Sequence, residues 1–155
     1  MANAYEHILP LEEVKNYLRI DEDYIEDDAY IERMIASAFG YIEKQTNHVF
    51  KPTDRTYRKL EQNNRIDIYD TPINTTEFGN NIPIWGSGYM KFCGISEVTL
   101  NVGYTSREKV PSELLDAALQ MIKVWYFESE KQANTTLIPE NVKEIINSHR
   151  RFILC

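Results

Sequence analysis

The sequence predicts an α+β fold that is mainly α: a small bundle of about four helices with a β-rich insertion between the second and third. Three observations carry this. Apolar residues recur at three and four positions in both the first third and the last third of the chain. That period disappears between residues 51 and 107, where β-formers alternate with polar residues. At 155 residues and 18.2 kDa, the chain matches one domain in size, with 1–50 as N-terminal helices, 51–107 as insertion and 108–155 as C-terminal helices and tail.

The first helix is expected over Pro10 to Ile20. Leu11, Val14 and Leu18 share one face, and Pro10 suits the first helical position. A second helix is expected from about Asp27 to Asn47, on the stripe Ile31, Met34, Ile35, Ala38 and Ile42. Asp27 or Asp28 is a candidate N-cap, because a short carboxylate accepts the open N–H groups of a first turn. Gly40 interrupts this pattern, which suggests a close helix approach.

In the middle, Arg55 to Leu60 and Arg65 to Tyr69 read as strands joined by a turn at Asn63-Asn64. Val98, Leu100, Val102 and Tyr104 alternate as the clearest strand. Between these, Thr71 to Gly94 holds four of the six glycines with Phe78, Trp85, Tyr89 and Phe92, and reads as a long loop or loose hairpin. A third helix follows Pro111 on Leu114, Leu115, Ala118, Met121, Ile122, Trp125 and Tyr126. A fourth follows Pro139 with Val142, Ile145, Ile146 and His149. The chain ends in Arg150-Arg151 and the apolar Phe152-Ile153-Leu154-Cys155.

The formal charge is −7, from 17 basic and 24 acidic residues, which disfavours tight, sequence-independent nucleic-acid binding. Cys93 and Cys155 stand far apart without zinc spacing, as two free thiols in a reducing compartment would. No apolar run has spanning length and no secretory pattern opens the chain, so a soluble, cytoplasmically made product is expected. The acids at 21–28 resemble the start of a calcium loop, but Ile25 and Glu26 occupy positions that need a ligand and a glycine. No phosphate-binding glycine loop, nucleophile elbow or HExxH motif is present. Neither a catalytic residue nor a cofactor is expected.

The order of five pieces resembles the phage head–tail connector (adaptor, head-completion) family of tailed phages: LEEVKNYLRID, DDAYIERMIASAFGYIEKQTN, VTLNVGY, VPSELLDAALQMIKVWYFESE and IPENVKEIINSHRRF. The stretch from Lys51 to about Ile95 looks expanded relative to shorter members. The resemblance implies a structural virion protein rather than an enzyme. It would form a ring, typically a dodecamer, at the head–tail junction, assembled in the host bacterial cytoplasm. The ring would dock on the portal protein and link it to the next connector, stopper or tail component. DNA would pass through its channel without sequence-specific binding, and no membrane would be involved. The family's C-terminal segment makes Asn147, His149, Arg150, Arg151, Phe152, Ile153 and Leu154 portal-contact candidates. Phe78, Trp85, Tyr89 and Phe92 become candidates for contacts between subunits or rings, since Tyr and Trp give large contact areas. Asp21, Asp23, Asp27 and Asp28 become candidates for an acidic channel lining that repels phosphate. Two other readings are a DNA-packaging accessory protein that uses Lys51, Arg55, Arg58, Lys59 and Arg65, and a small hydrolase.

Overall fold

A computed structural model describes residues 4–60, 64–79, 81–86, 89–128 and 138–150. Asn63, Ser87 and Gly88 lie outside the described residues, as do Arg151, Phe152, Ile153, Leu154 and Cys155. The described elements are α1 (Leu11–Leu18), α2 (Asp28–Thr46), β1 (Thr53–Arg58), β2 (Arg65–Ile68), β3 (Ile84–Gly86), β4 (Tyr89–Cys93), β5 (Glu97–Val102), a 3-10 turn (Arg107–Lys109), α3 (Ser112–Glu128) and α4 (Glu140–His149). The described strands all fall between α2 and α3.

Proline sets three of the helix starts. Pro10 and Pro139 stand one residue before α1 and α4, and each carbonyl accepts a helical N–H, from Val14 at 3.3 Å and Lys143 at 3.1 Å. Pro111 does the same before α3, accepting from Leu114 at 3.0 Å. The expected place for Pro10 was inside the first turn. One position earlier it still costs no hydrogen bond, because only its carbonyl takes part. α1 stops at Arg19 and α2 at Asn47, both in the left-handed region at φ 62° and 59°.

The helical stripes fold onto one core. Ile31, Ile35, Ala38, Phe39 and Ile42 of α2 meet Leu114, Ala118, Met121 and Ile122 of α3, with Ile8, Leu9 and Val14 closing one side and Val142 and Ile146 the other. Tyr126 near the end of α3 reaches Asp27 before α2, so the two helices run antiparallel. Trp125 and Tyr126 pack against this core half-buried. Gly40 is a correction: a Cβ there would meet nothing within 4 Å, so no helix approaches it.

The β-unit has two sheets. β1 pairs antiparallel with β5, and β2–β4–β3 form the other, also antiparallel. β1 and β2 therefore lie in different sheets, and the turn expected between them at Asn63-Asn64 falls partly outside the described residues. β1 finds matching polar partners on β5 instead: Thr56 bonds Thr99 at 2.8 Å, Asn101 donates to Asp54 at 2.8 Å and Arg58 pairs with Glu97 at 3.3 Å. The expected loose hairpin is β3–β4. Its inner residues Met90 and Phe92 join Ile66, Ile68, Leu100, Val102 and Val49 in a second, smaller core.

Three chain segments splice the two cores. Val49 N–H donates to Thr71 O at 2.8 Å, Tyr104 N–H to Val49 O at 2.9 Å, and Gly103 N–H to Pro72 O at 2.9 Å. Gly103 is required here: its φ is +117°, and a Cβ would stand 2.5 Å from the Lys51 carbonyl oxygen.

Candidate functional site

The acidic segment 21–28 folds around a lysine, not an empty cation site. Lys15 is buried, and its ammonium donates to Glu22 O and Tyr24 O, each at 2.7 Å, with Asp28 Oδ1 at 2.9 Å. Two of its protons are thus hydrogen-bonded to backbone carbonyls, and the Asp28 carboxylate balances its charge. Asp27 does not cap α2 through its side chain. Its carboxylate accepts the Tyr126 hydroxyl at 2.6 Å. Of the four acidic candidates, Asp27 and Asp28 are thus engaged internally, and Asp21 and Asp23 are exposed.

This end of the bundle also holds apolar surface that the sequence reading missed. Tyr17 of α1, Tyr24 and Ile25 of the acidic segment, and Phe127 near the end of α3 are exposed, Ile25 at 72%. Lys123 lies over the Tyr17 ring at 5.5 Å. The available signal was positional, since Tyr17 and Phe127 fall off the buried stripes of their helices. Charge gathers here too: residues 1–50 hold eleven acids and four bases, whereas 51–106 and 107–155 are each balanced.

At the opposite end, α4 meets the splice. His48 is buried, with Nδ1 2.6 Å from the Tyr104 hydroxyl, and the His149 ring stands edge-on to it at 6.1 Å. His149 Nε2 is 3.6 Å from Glu113 Oε2. His7 Nε2 donates to Phe50 O and Tyr104 O at 3.1 and 3.2 Å. The histidines thus work as packing and hydrogen-bonding groups. Among the portal-contact candidates, Asn147 and Arg150 are exposed and His149 is half-buried. Arg151, Phe152, Ile153 and Leu154 lie outside the described residues.

A polar cluster fills the seam between α2 and the β-unit. Asp70 accepts Arg55 Nη1 at 2.8 Å and the Tyr57 hydroxyl at 2.5 Å, and Glu43 accepts the Phe50 N–H at 2.7 Å. Burial pushes the Glu43 carboxyl up, opposed by that N–H and by the Arg55 charge. Burial, then donation to Asp70, raises the Tyr57 phenol. Glu43, Arg55 and Asp70 border a cavity of about 300 Å³ that Gly40, Lys44 and His48 also line. With Arg58 on Glu97 and Arg65 on Asp67, three of the five basic candidates are paired with carboxylates. Among the described residues, no group of three or more His, Cys, Asp or Glu is placed to hold a metal ion. No described helix is long and apolar enough to cross a membrane.

The hairpin candidates separate. Trp85 is 63% exposed and lines a cavity of about 280 Å³ with Ile68, Ile73, Tyr89 and Met90. Phe78 is half-buried, edge-on to Trp85 at 6.4 Å. Tyr89 is half-buried beside Tyr69. Phe92 is a correction: at 1% exposure it points into the second core, because strand alternation sends it to the same face as Met90. Ile82 and Ile84 are exposed beside Trp85, on the outer edge of the three-stranded sheet.

Residues 9–77 match the family described as phage gp6-like head-tail connector protein. Three solved structures have this fold over 100% of the chain. One, "Neck of empty GTA particle computed with C6 symmetry", matches with a TM-score of 0.74 at 15% identity, over 95% of that chain. A second, "Virion of native gene transfer agent (GTA) particle", matches at 0.74 and 14%, over 95% of its chain. The third, "Neck of native GTA particle computed with C12 symmetry", matches at 0.66 and 14%, over 94%. No curated protein matches the sequence. The family match spans α1, α2, β1, β2 and the segment that splices them, and over those residues the chain is similar to the phage gp6-like head–tail connector family.

Proposed function

We propose that this chain is a structural protein of the virion neck, forming a ring at the head–tail junction. The ring docks on the portal protein, links it to the next connector, stopper or tail component, and leaves a channel for phage DNA. The observation that carries this reading is the connector match over residues 9–77, on a fold shared nearly end to end with a chain of a neck. The role is architectural, not catalytic. The portal-facing end is α4 from Asn147 onward, where Asn147 and Arg150 are exposed. Of the four acidic channel candidates, Asp27 and Asp28 are held within the subunit, and Asp21 and Asp23 are exposed. Acid at the channel wall keeps DNA from sticking, because like charges repel within about 10 Å at ordinary salt.

The test mixes the purified chain with the portal protein of the same phage locus and images the product by electron microscopy. A ring stacked on the portal is expected. A chain that ignores the portal and binds DNA in a salt-sensitive way would overturn the reading in favour of a packaging accessory.

A further inference from the structure

We infer that the ring closes by seating the β3–β4 hairpin of one copy on the acidic, aromatic end of the next copy's helical bundle. The inference rests on the connector reading and adds the two faces that meet.

Two exposed apolar sets stand on different parts of the chain. One is Ile84 and Trp85 of β3, a strand that pairs with β4 on one side only, with Ile82 just before it. An apolar, unpaired edge is an association site unless something covers it. The other is Tyr17, Tyr24, Ile25 and Phe127.

Their placement suits a head-to-tail contact. The aromatic end lies where α2 begins, and the β-unit follows where α2 ends. The 19 residues of α2 separate these levels by about 28 Å. A ring needs two different faces on each subunit, one to give and one to receive. Faces at opposite ends turn the chain only slightly from copy to copy, as a ring of many subunits requires.

Charge selects the pairing. Lys91 stands opposite Ile84 in the register, and among the described residues no ion pair engages it. Asp21 and Asp23 flank the aromatic end with exposed carboxylates, also without ion-pair partners among the described residues. Two hairpins facing each other would bring Lys91 against Lys91, and two bundle ends would bring acids together. Only the mixed pairing sets opposite charges around the apolar contact.

The first experiment is carbodiimide coupling of the native oligomer, assembled from equal parts of isotopically light and heavy chain. Mass spectrometry should find Lys91 joined to Asp21, Asp23 or Glu26 in light–heavy pairs. The second uses two variants altered only at exposed positions, Ile82→Asp with Trp85→Ser, and Ile25→Asp with Phe127→Ser. Each alone should lose the ring while keeping its circular dichroism spectrum. An equal mixture should give dimers and nothing larger, because one intact pair of faces remains. Native oligomers whose crosslinks join other surfaces, or either variant still forming rings, would overturn the inference and leave the connector reading standing. A native chain that makes no oligomer with or without the portal would overturn both.

Discussion

In the helical layer the buried polar groups are few and each is enclosed, whereas in the β-unit the polar groups are half-buried or exposed and run along the sheets. Lys15 is the clearest case of the first kind: one ammonium within hydrogen-bonding distance of three oxygens at the foot of α2. Asp70, Arg55 and Tyr57, with Asn74, Asn101 and Asp54, are the second kind: side chains linking strands and crossing segments near the surface. Among the described residues, the bundle has a large apolar core and one buried charged side chain. The small core of the β-unit is supplemented by polar bridges. A partner lost from the enclosed site leaves a bare charge, while one lost from the seam is replaced by water at lower cost.

Lys15→Met therefore gives the largest expected effect. It removes the cation facing Asp28 and the donor to two carbonyls, and breaking such a pair costs roughly 3–5 kcal/mol. A urea midpoint measures it. A loss below about 1 kcal/mol would mean that water replaces the ammonium and that the enclosed site behaves like the seam.

Gly103→Ala comes next and strikes the splice between the two regions. The added methyl collides with a backbone oxygen, and the φ of +117° is unfavourable for any other residue. Strain and overpacking of this kind cost on the order of 3 kcal/mol. Hydrogen exchange should show protection falling along β1 and β5 first. Unchanged protection there would show that the splice yields without disturbing the sheets.

These two positions also show what could be read from sequence. The four helices follow from stripes such as Ile31, Ile35, Ala38 and Ile42, because helical period is local information. β5 was visible from Val98, Leu100 and Val102 for the same reason. The pairing of β1 with β5 was not, because it joins segments some forty residues apart and depends on which polar partners meet. β3 is three residues long and next to glycine, too short to show alternation. The docking candidates divided likewise: Trp85 is exposed, but Phe92 lies inside because alternation along β4 puts it on the core face with Met90. Lys15 had left a trace. It stands four residues after Leu11 and three before Leu18, on the buried stripe itself, where a lysine needs partners.

Glu43 gives a smaller effect whose sign is fixed by the raised carboxyl. The ordinary value is 4.5, and burial raises it in the folded chain, so the folded state binds this proton more tightly than the unfolded state. Stability then falls as pH rises from 4.5 through the raised value, and at neutral pH the ionised group is a net cost. Glu43→Gln keeps an oxygen for the Phe50 N–H and removes the charge. On acidification from neutrality toward pH 4.5, wild type should gain stability relative to the variant. Parallel curves of urea midpoint against pH would show that Arg55 and the Phe50 N–H already compensate the burial.

Gly40→Ala gives the smallest effect, and in the opposite direction to Gly103→Ala. Both positions lie close to the seam, but only one is crowded. At Gly40 a Cβ meets no atom within 4 Å, and the residue lies in the middle of a 19-residue helix. Glycine there costs about 1 kcal/mol relative to alanine through its greater freedom in the unfolded chain. The variant should unfold at a higher urea concentration by that amount, with its β-unit protection unchanged. A lower midpoint would mean that the opening beside Glu43 and Lys44 depends on a glycine backbone, because no steric contact in the folded chain opposes the methyl group.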